Sequence, residues 1–187
     1  MNLVRLNTVA VSVFLIFSAN MSAIAHEYTQ TSHEQSSAIT LQVKGQLPPL
    51  ATGISDLKFN ELYKMPVGPR GMEPSKKLLS LDNKHVRIVG YMAKQETPTS
   101  GMFIISPLPV NMGDEDDKFA DDMPANSIYV HLDNPNVLVN YIPGLIHLTG
   151  VLSVGNATET DDRVSYVRLK LDNELSVLFT PRHQASN

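Results

Sequence analysis

The sequence predicts a mainly β fold, a small OB-like five-stranded barrel with one or two short helices. Three observations predict it. From residue 84 onward, segments of strand length alternate apolar and polar side chains, the period of a half-buried strand. Turn-forming residues separate these segments, as in Asp82-Asn83 and the run GNATETDD at 155–162. A helical or irregular link follows the third strand, and about five strands with such a link fit a closed OB-type barrel. A β-sandwich is the alternative, because periodicity does not fix strand order.

The elements follow in chain order. Residues 1–25 read as a signal peptide. Arg5 supplies a positive start, an apolar run occupies 9–17, and Ala23-Ile24-Ala25 has the small-x-small form of a cleavage site. The apolar run is shorter than the roughly 20 residues that a membrane helix requires, so no membrane anchor is expected after cleavage. Residues 26–38 are polar and aperiodic, a mobile leader. A single OB-like domain is expected over 39–182. Within it, 39–43 is a candidate first strand, and 57–63 fits either a strand or a short helix begun by Ser55 or Asp56. The run MPVGPRGMEP at 65–74, with three prolines and two glycines, is a stiff loop. Residues 75–81 allow one or two helical turns.

The strands come next. In 84–93, Val86, Ile88 and Met92 face one way and His85, Arg87 and Tyr91 the other. Residues 102–106 form a continuous apolar strand, and 107–125 a long acidic loop. In 126–133, Ile128, Val130 and Leu132 point inward and Tyr129 and His131 outward. The strand 145–154 places Ile146, Leu148 and Leu152 inward, with His147 outward. The strand 163–171 places Val167, Leu169 and Leu171 inward, with Tyr166 and Arg168 outward. Residues 175–179 are a candidate edge strand.

Composition narrows the function. Removal of residues 1–25 from the 187 leaves 162, one ordinary domain with room for a proper core. The chain has no cysteine, so the lipid-attachment residue of a lipoprotein is missing, and the mature protein is expected free in the periplasm or outside the cell. The leader takes Arg5, which leaves 14 basic against 19 acidic residues, a net charge of −5. Such a balance argues against nucleic acid as a partner.

The stretch from MPVGPRG through VRIVGYM and MFIISP to IYVHL, with LIHLTGVLSV after it, resembles short exported bacterial proteins of unknown function with an OB-like barrel. The similarity covers roughly residues 57–172. It implies a role accessory to an envelope or transport process, and in the broader family a link with zinc response. There the loop before the IYV strand tends to carry a cysteine and a histidine. Here residues 107–125 hold neither.

Candidate sites are of three kinds. Arg87, Tyr91, Tyr129, His131, Tyr166 and Arg168, with His147, mix basic and aromatic groups on outward positions, where barrels of this type often bind. Arg70, in a rigid Gly-Pro-Arg-Gly loop, either meets a partner or pairs with an acid of its own domain. Metal candidates are His85, His131 and His147, which would form an open zinc or copper site if they converged, and His26, whose free amine after cleavage adds a copper ligand. Finally Asp114, Glu115, Asp116, Asp117, Asp121 and Asp122 crowd six acids into nine positions. The EF-hand register fails there, with Lys118, Phe119 and Ala125 at its fifth, sixth and twelfth places, so a solvated loop or a docking surface for a basic partner fits better than a calcium site. No nucleophile elbow, zincin helix, P-loop or dinucleotide fingerprint is present. The expectation is a non-catalytic binding or adaptor module with envelope protein partners and no cofactor. The alternative is a zinc- or copper-handling protein.

Overall fold

The computed structural model describes residues 41–112 and 123–179. Six strands form one mixed sheet: β1 (Ser55–Asp56), β2 (His85–Met92), β3 (Met102–Ser106), β4 (Ile128–His131), β5 (Leu145–Thr158) and β6 (Val164–Leu171). Two short helices, α1 (Lys76–Ser80) and α2 (Asn173–Ser176), and a 3-10 turn at Phe59–Glu61 complete the described elements. The order is β1-β2-β3-β4-β6-β5, and β5 pairs back onto β2. That last ladder, seven residue pairs from His85↔Val151 to Tyr91↔Leu145, closes β2, β3, β4, β6 and β5 into a five-stranded barrel. The β4–β6 pair is parallel, and the other barrel pairs are antiparallel. The OB-like expectation therefore holds.

The alternation read from the sequence decides which side chains fill the barrel. Val86, Ile88 and Met92 of β2, Ile128 and Val130 of β4, Ile146, Leu148 and Leu152 of β5, and Val167, Leu169 and Leu171 of β6 all join one buried core. Each such side chain contributes on the order of 1.5–3 kcal/mol by leaving water. Two glycines allow the close packing. A Cβ on Gly90 would lie 2.5 Å from the Phe59 ring, and one on Gly150 would lie 2.2 Å from the Lys170 carbonyl oxygen. Strand β3 is buried on both faces along its whole length. Phe103 and Ile105 enter the barrel, while Met102 and Ile104 pack outside it with Ala93, Met112 and Tyr129. Burial on both faces is what a continuous apolar run requires.

The segment before β2 covers part of the barrel. Leu57, Phe59, Leu62, Leu78 and Leu81 all reach the main core. Helix α1 begins where Ser75 accepts a hydrogen bond from Leu78 N at 2.9 Å, while its own Oγ donates to the Glu61 carbonyl at 2.6 Å. The ambiguous 57–63 stretch is thus a 3-10 turn fixed by burial of Phe59 and Leu62.

Several expectations are corrected. Strand β5 runs on to Thr158, beyond the expected end at 154, because a bulge between Val154 and Ala157 lets it continue beside β6. Residues 173–176 form helix α2, not an edge strand, since Ser176 N and Val177 N bond back to the carbonyls of Asp172 and Asn173. Of the two forms expected for the link at 135–143, helical or irregular, the irregular one is present. Of the candidate first strand, the described part makes one bridge, Gln42↔Ile146. The expected signal peptide at 1–25, the expected leader at 26–38 with the metal candidate His26, the first two residues of the candidate strand at 39–43, and the acidic residues Asp114 to Asp122 lie outside the described residues. Among the described residues, no helix is long and apolar enough to cross a membrane.

Candidate functional site

The outward residues do not share one exposed face. Arg87 of β2 is only 9% exposed, because the chain at 48–56 lies over it. Its Nε donates to Asp56 Oδ1 at 3.0 Å and its Nη1 to the Pro48 carbonyl at 2.6 Å. It fastens β1 to the barrel. Tyr129 is equally buried, within the apolar cluster outside β3 and β4. Tyr91 is half-buried, and β3 separates its strand from β4. Arg168 is held within its own hairpin: Nη1 donates to the Gly155 carbonyl at 2.6 Å and to Ser165 Oγ at 3.0 Å, and Nη2 to Ser153 Oγ at 3.1 Å. The bulge in β5 frees the Gly155 carbonyl for that contact.

The three strand histidines do not converge. His85 Nε2 meets Asp172 Oδ1 at 2.6 Å, and Thr149 Oγ1 donates to Asp172 Oδ2 at 2.6 Å. His147 stands opposite Val89, four ladder positions from His85, or roughly 13 Å at strand rise. His131 sits on β4, between β3 and β6. Its Nε2 lies 3.2 Å from Glu159 Oε2 but is not aligned for a hydrogen bond. Among the described residues, no three metal-ligating side chains come together. Glu159 was not legible as a site residue. It is buried in the β5–β6 turn, where its Oε1 accepts a hydrogen bond from Ser165 Oγ. The serine, glutamate and histidine form a chain with the carboxylate in the middle. A nucleophile–histidine–acid relay needs the imidazole there, so the cluster lacks hydrolase geometry.

The best-formed surface feature is a hairpin at 63–74. Bridges Tyr63↔Pro74 and Gly68↔Gly71 close it, with Lys64 N donating to the Glu73 carbonyl at 2.8 Å and Gly71 N to the Gly68 carbonyl at 3.0 Å. The Met65–Pro66 peptide is cis, and Gly71 takes a φ of 84° that disfavours other residues. Glu73 clasps the two arms, 2.8 Å from Lys64 Nζ and 2.7 Å from Arg70 Nη2. The Lys64 ammonium, and then Arg70, hold the Glu73 carboxyl below its ordinary range. Arg70 thus pairs with an acid of its own domain while remaining 84% exposed.

This clasped loop holds apolar side chains in water. Met65 is 73% exposed, Val67 51% and Met72 40%. At its base, Tyr63, Met72, Pro74, Ala125 and Tyr166 line an open groove of about 300 Å³. The Tyr63 and Tyr166 rings stand 6.4 Å apart at 35°, within the range of favourable aromatic pairs. Burial, with Tyr166 nearby, pushes the Tyr63 phenol up. Of these residues, sequence reasoning singled out Tyr166 and Arg70. The available signal for the others was apolar side chains inside a proline- and glycine-rich loop. No family model matches this sequence, and no curated protein or solved structure matches it.

Proposed function

We propose that this chain is an exported, non-catalytic binding or adaptor module that acts through protein contacts in the cell envelope. The carrying observation is the hairpin at 63–74, which is ordered by its own backbone bonds and Glu73 ion pairs yet exposes Met65, Val67 and Met72 beside an aromatic groove. Apolar side chains on a pre-ordered projection favour association, because little conformational entropy is lost when the partner covers them. The AIA cleavage pattern supports the exported setting, and the absence of cysteine argues against lipid attachment.

The test is site-specific photo-crosslinking in intact cells. p-Benzoylphenylalanine at Met65 or Val67 should yield a discrete crosslinked species, while the same probe at Leu138, 59% exposed in the β4–β5 connection, should not. Equal patterns at all three positions would remove the hairpin as the contact surface. Native mass spectrometry of chelator-free protein tests the zinc- or copper-handling alternative. A stoichiometric metal lost on His131→Ala or His147→Ala would put that reading first.

A further inference from the structure

The chain contains neither cysteine nor tryptophan, so its methionine thioethers are the side chains most open to two-electron oxidation. Of its eight methionines, Met1 and Met21 fall in the expected signal peptide, and the other six are described residues. The fold sorts these six by exposure. Met92, Met102 and Met112 are at most 4% exposed, and Met123 packs at the margin of the cluster outside β3. The Met92 sulfur also accepts a hydrogen bond from the Ile142 amide at 3.3 Å. Met65, 73% exposed, and Met72, 40% exposed, are left in water, and both stand on the 63–74 hairpin. They flank one rung of it: Met65 follows Lys64 and Met72 precedes Glu73, where Lys64 N donates to the Glu73 carbonyl. Met72 also lines the groove with Tyr63 and Tyr166.

We propose that Met65 and Met72 form a modification site at which peroxide reversibly oxidises both sulfurs, and that the sulfoxides release the hairpin's partner. The inference rests on the adaptor reading and supplies its regulation. In the reaction, a sulfur lone pair attacks one oxygen of hydrogen peroxide, the O–O bond breaks and an S–O bond forms. The other oxygen leaves with both protons as water; the sulfur has lost two electrons and the peroxide has gained them. A methionine sulfoxide reductase reverses the change with a dithiol, which becomes a disulfide as the oxygen leaves as water.

Placement makes the site selective and its effect local. A buried sulfur meets peroxide only when its cover opens, whereas Met65 and Met72 meet it in the folded state. The hairpin is held by backbone bonds and the Glu73 ion pairs, none of which uses a methionine side chain, so oxidation leaves its shape intact. What changes is the surface. A flexible apolar side chain becomes a polar one bearing a strong hydrogen-bond acceptor. A partner shaped to cover apolar groups offers no donor there, and an acceptor buried without one weakens association by about tenfold for each sulfoxide.

The experiment has two arms. In the first, purified protein is exposed to hydrogen peroxide, and peptide mass mapping follows each methionine in time. Met65 and Met72 should gain one oxygen each roughly tenfold faster than Met92, Met102 and Met112, and a methionine sulfoxide reductase with dithiothreitol should remove both. Equal rates at exposed and buried methionines, or sulfoxides that the reductase does not remove, overturn the modification site. The second arm uses cells with p-benzoylphenylalanine at Val67, treated with peroxide and then catalase before illumination. The crosslinked species should fall about tenfold, and the Met65→Leu/Met72→Leu double variant, apolar but without sulfur at these positions, should keep it. A crosslink that survives while protein from the same cells carries both sulfoxides overturns the release. So does an equal loss in the double variant, which would place the sensitive group elsewhere. No crosslink at Met65 or Val67 in untreated cells removes the adaptor reading and the release with it, while the mass map still decides the modification site.

Discussion

Two regions on the outside of this barrel carry apolar side chains, and the chain treats them in opposite ways. Over β3 and β4, Met102, Ile104 and Tyr129 are sealed by Ala93 and Met112, with Val110 and Met123 packed at the margin. Beside β6, Tyr166 and the hairpin residues Met65, Val67 and Met72 stay open to solvent. The second and third barrel strands form the usual binding face of an OB-type barrel, and here these are the sealed ones. Covering them with chain from the β2–β3 and β3–β4 connections turns a binding face into a second small core. The contrast teaches that the face on which barrels of this class usually bind is closed here. The exposed apolar surface has moved to an added hairpin and the groove at its base.

Substitutions on the two regions should break apart in size. Ile104→Ala removes a fully buried side chain and leaves a cavity between β3 and its cover, at a cost of about 3 kcal/mol. Tyr166→Ala trims a half-buried ring at an open groove and should cost about 1 kcal/mol. Urea unfolding of both variants gives the difference directly. Similar losses would mean that the groove is as closed in solution as the β3–β4 cover, and the contrast would collapse.

Much of the barrel was legible because each strand repeats one physical choice, inward apolar and outward polar, every two residues. Val86, Ile88, Leu148 and Leu169 were placed correctly on that ground alone. The outward residues were not, because alternation reports which way a side chain leaves the strand and not what lies over it. Arg87 points outward and is still covered by 48–56, and Tyr129 by the loop packed on β3 and β4. Strand order was equally out of reach. His85, His131 and His147 lie on the same side of their strands, but the order β2-β3-β4-β6-β5 and the β2–β5 register keep them apart. Strand-like character at 175–179 yielded to backbone bonds that close a helical turn at the end of β6. The 63–74 hairpin was visible only as stiffness. The groove at its base is completed by Tyr166, some ninety residues later, and no local pattern joins the two.

A smaller effect separates exposure from stability. Met65→Ser and Val67→Ser replace side chains that touch mainly water, so each should change stability by no more than about 0.5 kcal/mol. The same changes should abolish the crosslinked species captured through a probe at the other position. A loss of more than about 1 kcal/mol in urea unfolding would show that these side chains serve the fold rather than a partner.

The smallest effect concerns acid. Glu73 is held below its ordinary carboxylate range by its hydrogen bond to Lys64 first, and by Arg70. A carboxylate whose folded pKa is depressed contributes stability that is present above its unfolded pKa and lost as pH falls through the folded value. The hairpin clasp should therefore hold at neutral pH and release below the ordinary glutamate range. It is exposed, so salt should weaken it and the global stability should hardly register the change. The carbon-13 shift of the Glu73 carboxyl should titrate with a midpoint under 4.5, the ordinary value. Lys64→Met should raise that midpoint more than Arg70→Met does. Ile104, fully buried with Ala93, Met102, Met112 and Tyr129 around it, should show no transition over the same range. A shared midpoint at Glu73 and Ile104 would mean that one acid-driven event opens both regions, and that the sealed and open sides are coupled.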